Sequence, residues 1–181
     1  MKKIRENNFA YIDGNNLYKS ISCSGWQIDL VRFRRWLLDK YDVQRAYYFI
    51  GLIPKQKEIY SFLQKAGYTL IFKEVIYNGD GKPKGNCDAE LVLESVKDSY
   101  ENNCDKQVIV TSDGDYSNLV DFLKEKNKIK TILSPSLPNK CSILLKRTEV
   151  PIVYLHDVKN KIEMKKPPLS TESLKGFFRM Y

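Results

Sequence analysis

QVIVTSDGDYSNLVDFLKEK, residues 107–126, holds the unit from which the fold can be read. Gln107–Val110 is a short apolar run rich in β-branched residues, which predicts a buried strand. Thr111-Ser112-Asp113-Gly114-Asp115 is turn chemistry. From Tyr116 to Lys126 the apolar residues recur at helical spacing, so a helix follows directly. The same strand, turn and helix grammar repeats outward in both directions. Toward the N-terminus, Phe9-Ala10-Tyr11-Ile12 runs into Asp13-Gly14-Asn15-Asn16, read as a strand closed by turn residues. Asp29 caps a helical pattern to about Lys40, carried by Leu30, Phe33, Leu37 and Tyr41. Val43–Ile50 reads as a strand, Pro54 opens a second helix that Gly67 closes, and Tyr68–Val75 reads as a third strand. The Gly/Lys-rich loop NGDGKPKGN, 78–86, leads into a helix from Cys87 to Tyr100. Beyond Lys126 come a strand at Ile129–Leu133, a helix at 139–147 and a last strand at Ile152–Leu155. Alternation of this kind predicts an α/β fold in three layers, α/β/α, around a mostly parallel sheet.

In such sheets ligands bind beyond the carboxyl ends of the strands, so the residues found there are read as a group. The first strand ends in Asp13 and Asn16, and the fourth in Ser112, Asp113 and Asp115. The lysine loop enters its helix at Asp88. Carboxylates gathered in one cleft repel each other and must bind protons or a cation. Oxygen donors without histidine suit Mg²⁺ or Mn²⁺ rather than zinc, and such ions serve phosphodiester cleavage. His156 is the single histidine, which excludes a His-pair site, and it reads as structural. No P-loop and no serine-triad motif is present. Each acid also has an ordinary role open to it. Asp13 suits a turn, Asp115 a helix N-cap and Asp88 the positive end of a helix dipole.

With 43% hydrophobic and 29% charged residues, the 181-residue chain is neither collagen-like, coiled-coil nor wholly disordered. The longest nearly continuous apolar run, Ala46–Ile53, is too short to span a bilayer, and the first residues contain no apolar signal segment. Cys23, Cys87, Cys104 and Cys141 are widely spaced and read as reduced thiols of a cytoplasmic protein. The formal net charge of +8 fits a polyanionic partner, and residues 159–181 form a basic tail of net +4.

Tyr11-Ile12-Asp13-Gly14-Asn15-Asn16, Lys84-Gly85-Asn86-Cys87-Asp88 and Val110-Thr111-Ser112-Asp113-Gly114-Asp115-Tyr116 together resemble the three signatures of the NYN domain family. That family is part of the PIN-like nuclease superfamily and includes the LabA-like bacterial proteins. The resemblance implies a PIN-like domain over 1–158 and Mg²⁺- or Mn²⁺-dependent cleavage of RNA, with single-stranded RNA as the expected substrate. By motif position it implies metal-holding roles for Asp13, Asp88, Asp113 and Asp115, with Asn16 as polar partner of the first acid. Lys82, Lys84, Thr111 and Ser112 are candidate substrate contacts. The chain has Thr111-Ser112 where the family often has Ser-Gly, and Glu94 where it often has Asp, so Glu94 is ranked secondary. Alternatives are a non-catalytic RNA- or protein-binding module and a metal-dependent DNA nuclease or phosphatase. A homodimer is compatible with the sequence.

Overall fold

The computed structural model describes residues 5–74, 76–77, 83–84 and 87–165, of which 74, 76, 77, 83 and 84 are described by backbone alone. Six strands form one parallel sheet: β1 (Asn8–Asp13), β2 (Val43–Leu52), β3 (Thr69–Glu74), β6 (Gln107–Val110), β7 (Ile129–Ser134) and β8 (Ile152–Tyr154). Their order is β3-β2-β1-β6-β7-β8. A short antiparallel pair, β4 (Ile76–Tyr77) just before the lysine loop and β5 (Pro83–Lys84) within it, forms a separate two-stranded sheet. The chain builds outward from β1 in one direction, then returns and builds outward from β6 in the other. The order in which strands are added therefore reverses between β1 and β6, which run parallel with Ile12 beside Val110. A reversal of this kind opens a crevice at the carboxyl ends of the two central strands.

Period-two alternation sorts the strands into the two faces. Ala10, Ile12, Ala46, Tyr48, Ile50, Val108 and Val110 point to one face, beneath α1 (Gly14–Cys23), α2 (Leu30–Tyr41), α3 (Lys57–Lys65) and α7 (Lys159–Ile162). Phe9, Tyr11, Tyr47, Phe49 and Ile109 point to the other, beneath α4 (Asp88–Tyr100) and α5 (Ser117–Glu125). The short α6 (Ile143–Arg147) buries Leu145 against Val120 and Ile132. The result is the expected α/β/α sandwich with a wholly parallel central sheet. Among the described residues no helix is long and apolar enough to cross a membrane.

Local chemistry explains the element ends. The Asp29 carboxylate accepts from the Val31 and Arg32 amides, and left-handed Asp42 (φ 54°) closes α2. Three features differ from the sequence reading. Gly14–Asn16 is the first turn of α1 rather than an isolated turn, because Asp13 caps it and Leu17 and Ile21 bury one side. The helix expected over 139–147 begins only at Ile143, where Ser142 caps it through the Leu144 amide at 3.2 Å. Residues 159–163 pack on the main body: Ile162 is buried in the first core and Glu163 bridges to Ile28. The basic segment from 166 onward and Lys82 lie outside the described residues, as do the side chains of Tyr77 and Lys84.

Candidate active site

The crevice at the β1/β6 reversal is built by three chain segments. Asp13 is the last residue of β1 and the N-cap of α1; its Oδ1 accepts from the Asn16 amide at 3.0 Å. Asp113 follows β6 and caps the single helical turn 114–116, accepting from the Asp115 amide at 3.1 Å. Asp88 opens α4, at the positive end of that helix. Each cap uses one carboxylate oxygen and leaves the other for a further partner.

Two glycines allow this close approach. A Cβ on Gly14 would lie 2.7 Å from the Phe49 carbonyl and against the Tyr48 ring. A Cβ on Gly114 would collide with the Ser142 hydroxyl. Space at the sheet end, not a left-handed backbone, requires glycine at both positions.

Tyr116 lies in the middle of the cluster. Its hydroxyl donates to Asp88 at 2.6 Å and lies 3.5 Å from Asp13. Burial, reinforced by the surrounding carboxylates, drives the phenol far above its usual range, so it remains a proton donor at any physiological pH. The Asp13 carboxyl is pushed up to about 6, first by burial and then by the charges of Asp88 and Asp113. The hydrogen bonds from Asn16 and Tyr116 offset this only in part. Among the described residues no lysine or arginine forms an ion pair with Asp13 or Asp113. The neighbouring Cys87 thiol is pushed up to about 12 by burial, then by Glu90, Asp13 and Asp88. It is a thiol at neutral pH and no nucleophile.

Asn16 ties the two sides of the crevice together. Its Oδ1 accepts from both the amide and the hydroxyl of Ser112, at 2.9 and 2.8 Å. The Ser136 hydroxyl lies 2.8 Å from that of Ser112 and donates to Ser20 at 2.9 Å. Thr111 accepts from the Asp113 amide through its hydroxyl at 3.2 Å, which fixes the loop that carries Asp113.

The structure therefore brings together Asp13, Asp88, Asp113, Asn16, Thr111 and Ser112. Asp115 is exposed and takes part through its backbone amide. Glu94 lies further along α4, where its charge acts on Tyr47 in the middle of β2. Sequence reasoning missed Tyr116 as a site residue, although it directly follows the Asp-x-Asp pair, and it missed Ser136. It also missed Lys73, near the end of β3, whose ammonium is bonded to Glu90 in the first turn of α4. No local motif announces Ser136 or Lys73, because only the strand order brings them near.

Among the described residues no three His, Cys, Asp or Glu side chains stand at full metal-ligand spacing. The donor set nonetheless fits a hard cation. Mg²⁺ and Mn²⁺ are commonly held by one or two carboxylates with waters completing the shell, and Asp13 is a carboxylate whose charge is disfavoured by burial and then by its acidic neighbours.

Residues 10–149 match the NYN domain family. The chain is similar to the low amplitude and bright protein LabA of Synechococcus elongatus. The two are 24% identical over 170 residues, which cover 87% of this chain and 88% of that protein. Among solved structures it is similar to a protein of unknown function from Vibrio parahaemolyticus, with a TM-score of 0.69 and 22% identity. That likeness covers 91% of this chain and all of the other, and it is one of fold.

Proposed function

The chain belongs to the NYN domain family, a family of nuclease-like domains, and from that premise we propose that it is a metal-dependent ribonuclease acting on single-stranded RNA. One observation carries this reading: where the strand order reverses, buried Asp13 shares the Tyr116 hydroxyl with Asp88 and lies close enough to Asp88 and Asp113 to feel their charge, and burial first, then those charges, push its carboxyl up to about 6. A bound cation offsets both the burial of the charge and the repulsion. Asp13 and Asp113 would hold a Mg²⁺ or Mn²⁺ ion, with Asp88 and Asp115 acting directly or through water. When bound, the ion supplies charge neutralisation at the scissile phosphate and an acidified water.

The chain's own groups do the rest. Tyr116 holds Asp88 toward Asp13 with a hydrogen bond at 2.6 Å. Ser112 fixes the Asn16 carbonyl, so the amide NH₂ of Asn16 is the end left to donate to a phosphate oxygen. Lys84 and Lys82 would neutralise backbone phosphates. Cys87 stays protonated and supplies no competing nucleophile.

The test is cleavage of an unstructured RNA by purified protein with Mn²⁺ or Mg²⁺, with excess chelator, and by Asp13→Asn. Cleavage that needs the ion and is lost in the variant is expected. Equal cleavage in chelator, or by the variant, would overturn the reading. RNA binding without turnover in Mn²⁺ would leave a binding module.

A further inference from the structure

We propose that the segment from Leu137 to Thr148 is the surface that guides the RNA strand into the acid crevice; the inference rests on the ribonuclease reading above. This segment is fastened to the loop that carries Asp113. The Ser142 amide donates to the Ser112 carbonyl at 3.1 Å. Gly114 packs against the Ser142 hydroxyl and so closely against Leu144 that an added Cβ would lie 3.2 Å from its Cδ1. Two large aliphatic side chains remain bare immediately beside the site: Ile143 is 58% exposed and Leu144 45%.

Charge identifies the occupant. Lys140, Lys146 and Arg147 are exposed, and no acidic residue occurs from 137 to 148. Among the described residues none of the three forms an ion pair, although the Lys146 ammonium donates to the Pro138 carbonyl at 2.6 Å. Arg147 lies one helical turn beyond Ile143 and Leu144, on their side of α6. An apolar pair flanked by cations suits a strand whose bases are unpaired, with base faces on Ile143 and Leu144 and phosphates on the cations. A second copy of this chain docked two-fold on the same face would oppose its own cations, which disfavours self-association.

The experiment measures binding of a 12-nucleotide unstructured RNA by fluorescence anisotropy in excess chelator, so that no cleavage occurs. The same backbone without bases serves as second probe. Lys140→Ala/Arg147→Ala is expected to weaken binding and to lower the slope of log K against log salt by about 1.4, at roughly 0.7 per lost phosphate contact on a single strand. Ile143→Ser/Leu144→Ser is expected to weaken binding of the RNA about 5-fold with unchanged slope, and to leave the abasic probe unaffected. All four positions are exposed, and thermal melts check that the variants fold as wild type does.

Variants that bind like wild type would overturn the proposal. So would a wild-type dimer, seen by light scattering, that Ile143→Ser/Leu144→Ser dissociates, since the face would then belong to a second copy. The two readings fail separately. If the variants bind as predicted but the wild type never cleaves in Mn²⁺, the nuclease reading falls and the surface stands. If wild type and variants cleave alike with the same KM, the surface falls and the nuclease stands.

Discussion

Asp13 serves two roles at once: it caps a helix with one oxygen and belongs to a carboxylate cluster with the other. Its pKa gives the second role a sign. The carboxyl is raised from 3.8 to about 6, so the folded protein holds that proton more tightly than the unfolded chain does. The stabilisation is complete below about pH 3.8 and is lost as pH rises through about 6. The metal-free protein is therefore expected to lose up to about 3 kcal/mol of stability at this position between pH 4 and pH 8. Asp13→Asn keeps the cap and removes the dependence, so urea melts of both proteins across that range isolate it. Added Mn²⁺ should cancel the loss in wild type alone. Asp113→Asn separates cap from cluster in the same way, because Asn caps well. That variant is expected to match or exceed wild-type stability without metal, by about 0.5–2 kcal/mol from relieved repulsion. It should not be stabilised by Mn²⁺, and its cleavage should fall by orders of magnitude. Early melting of the metal-free variant would instead mark Asp113 as structural. Tyr116→Phe keeps the buried ring and deletes only the donor to Asp88. It should leave the fold intact and shift the Mn²⁺ concentration needed for half-maximal cleavage, read by titration.

At the scale of elements, the two glycines in the Asp-Gly pairs are places where a helical turn starts hard against a neighbour, β2 for Gly14 and the start of α6 for Gly114. Gly14→Ala forces a methyl group against the Phe49 carbonyl and the Tyr48 ring. It is expected to cost about 2–4 kcal/mol, in the range of overpacking at its worst. Gly25→Ala meets open space but a φ of 73°, and should cost only about 1 kcal/mol. Chemical denaturation of the two variants ranks them. The same contrast explains what was legible in the sequence. Strands β1, β2 and β6 were readable because each holds a buried, unbroken apolar run, residues 9–12, 46–50 and 108–110, and β7 because its second half, from Thr131, is buried around Ile132 and Leu133. Helix α1 was not readable, because Gly14-Asn15-Asn16 and the serines have low helix propensity and only Leu17 and Ile21 signal a buried side. Its helicity comes from the Asp13 cap and from packing. The acids were legible because chemistry and strand ends coincide in short motifs. Tyr116, Ser136 and Lys73 were not, since each joins the site through neighbours far away in the sequence.

For the whole molecule, a cation bound only to the folded state stabilises it by mass action. Wild-type protein is expected to melt at a temperature that rises with Mn²⁺ concentration and returns to baseline with chelator. A melting temperature indifferent to Mn²⁺ would argue against a folded-state metal site. The net charge of +8 adds a separate and sequence-independent attraction to nucleic acid, one that weakens as salt increases. The order of the strands also carries a consequence for the chain during synthesis. β1 emerges well before its inner neighbour β6, which pairs Phe9 with Gln107, about a hundred residues later. Until β6 is made, Asp13 has no Asp113 beside it, Asn16 has no Ser112 to grip, and β1 has one unpaired edge. A ribosome-bound chain halted before residue 107 would thus carry half a crevice. The acid cluster, and any activity that depends on it, is completed only when β6 and the loop after it have been made.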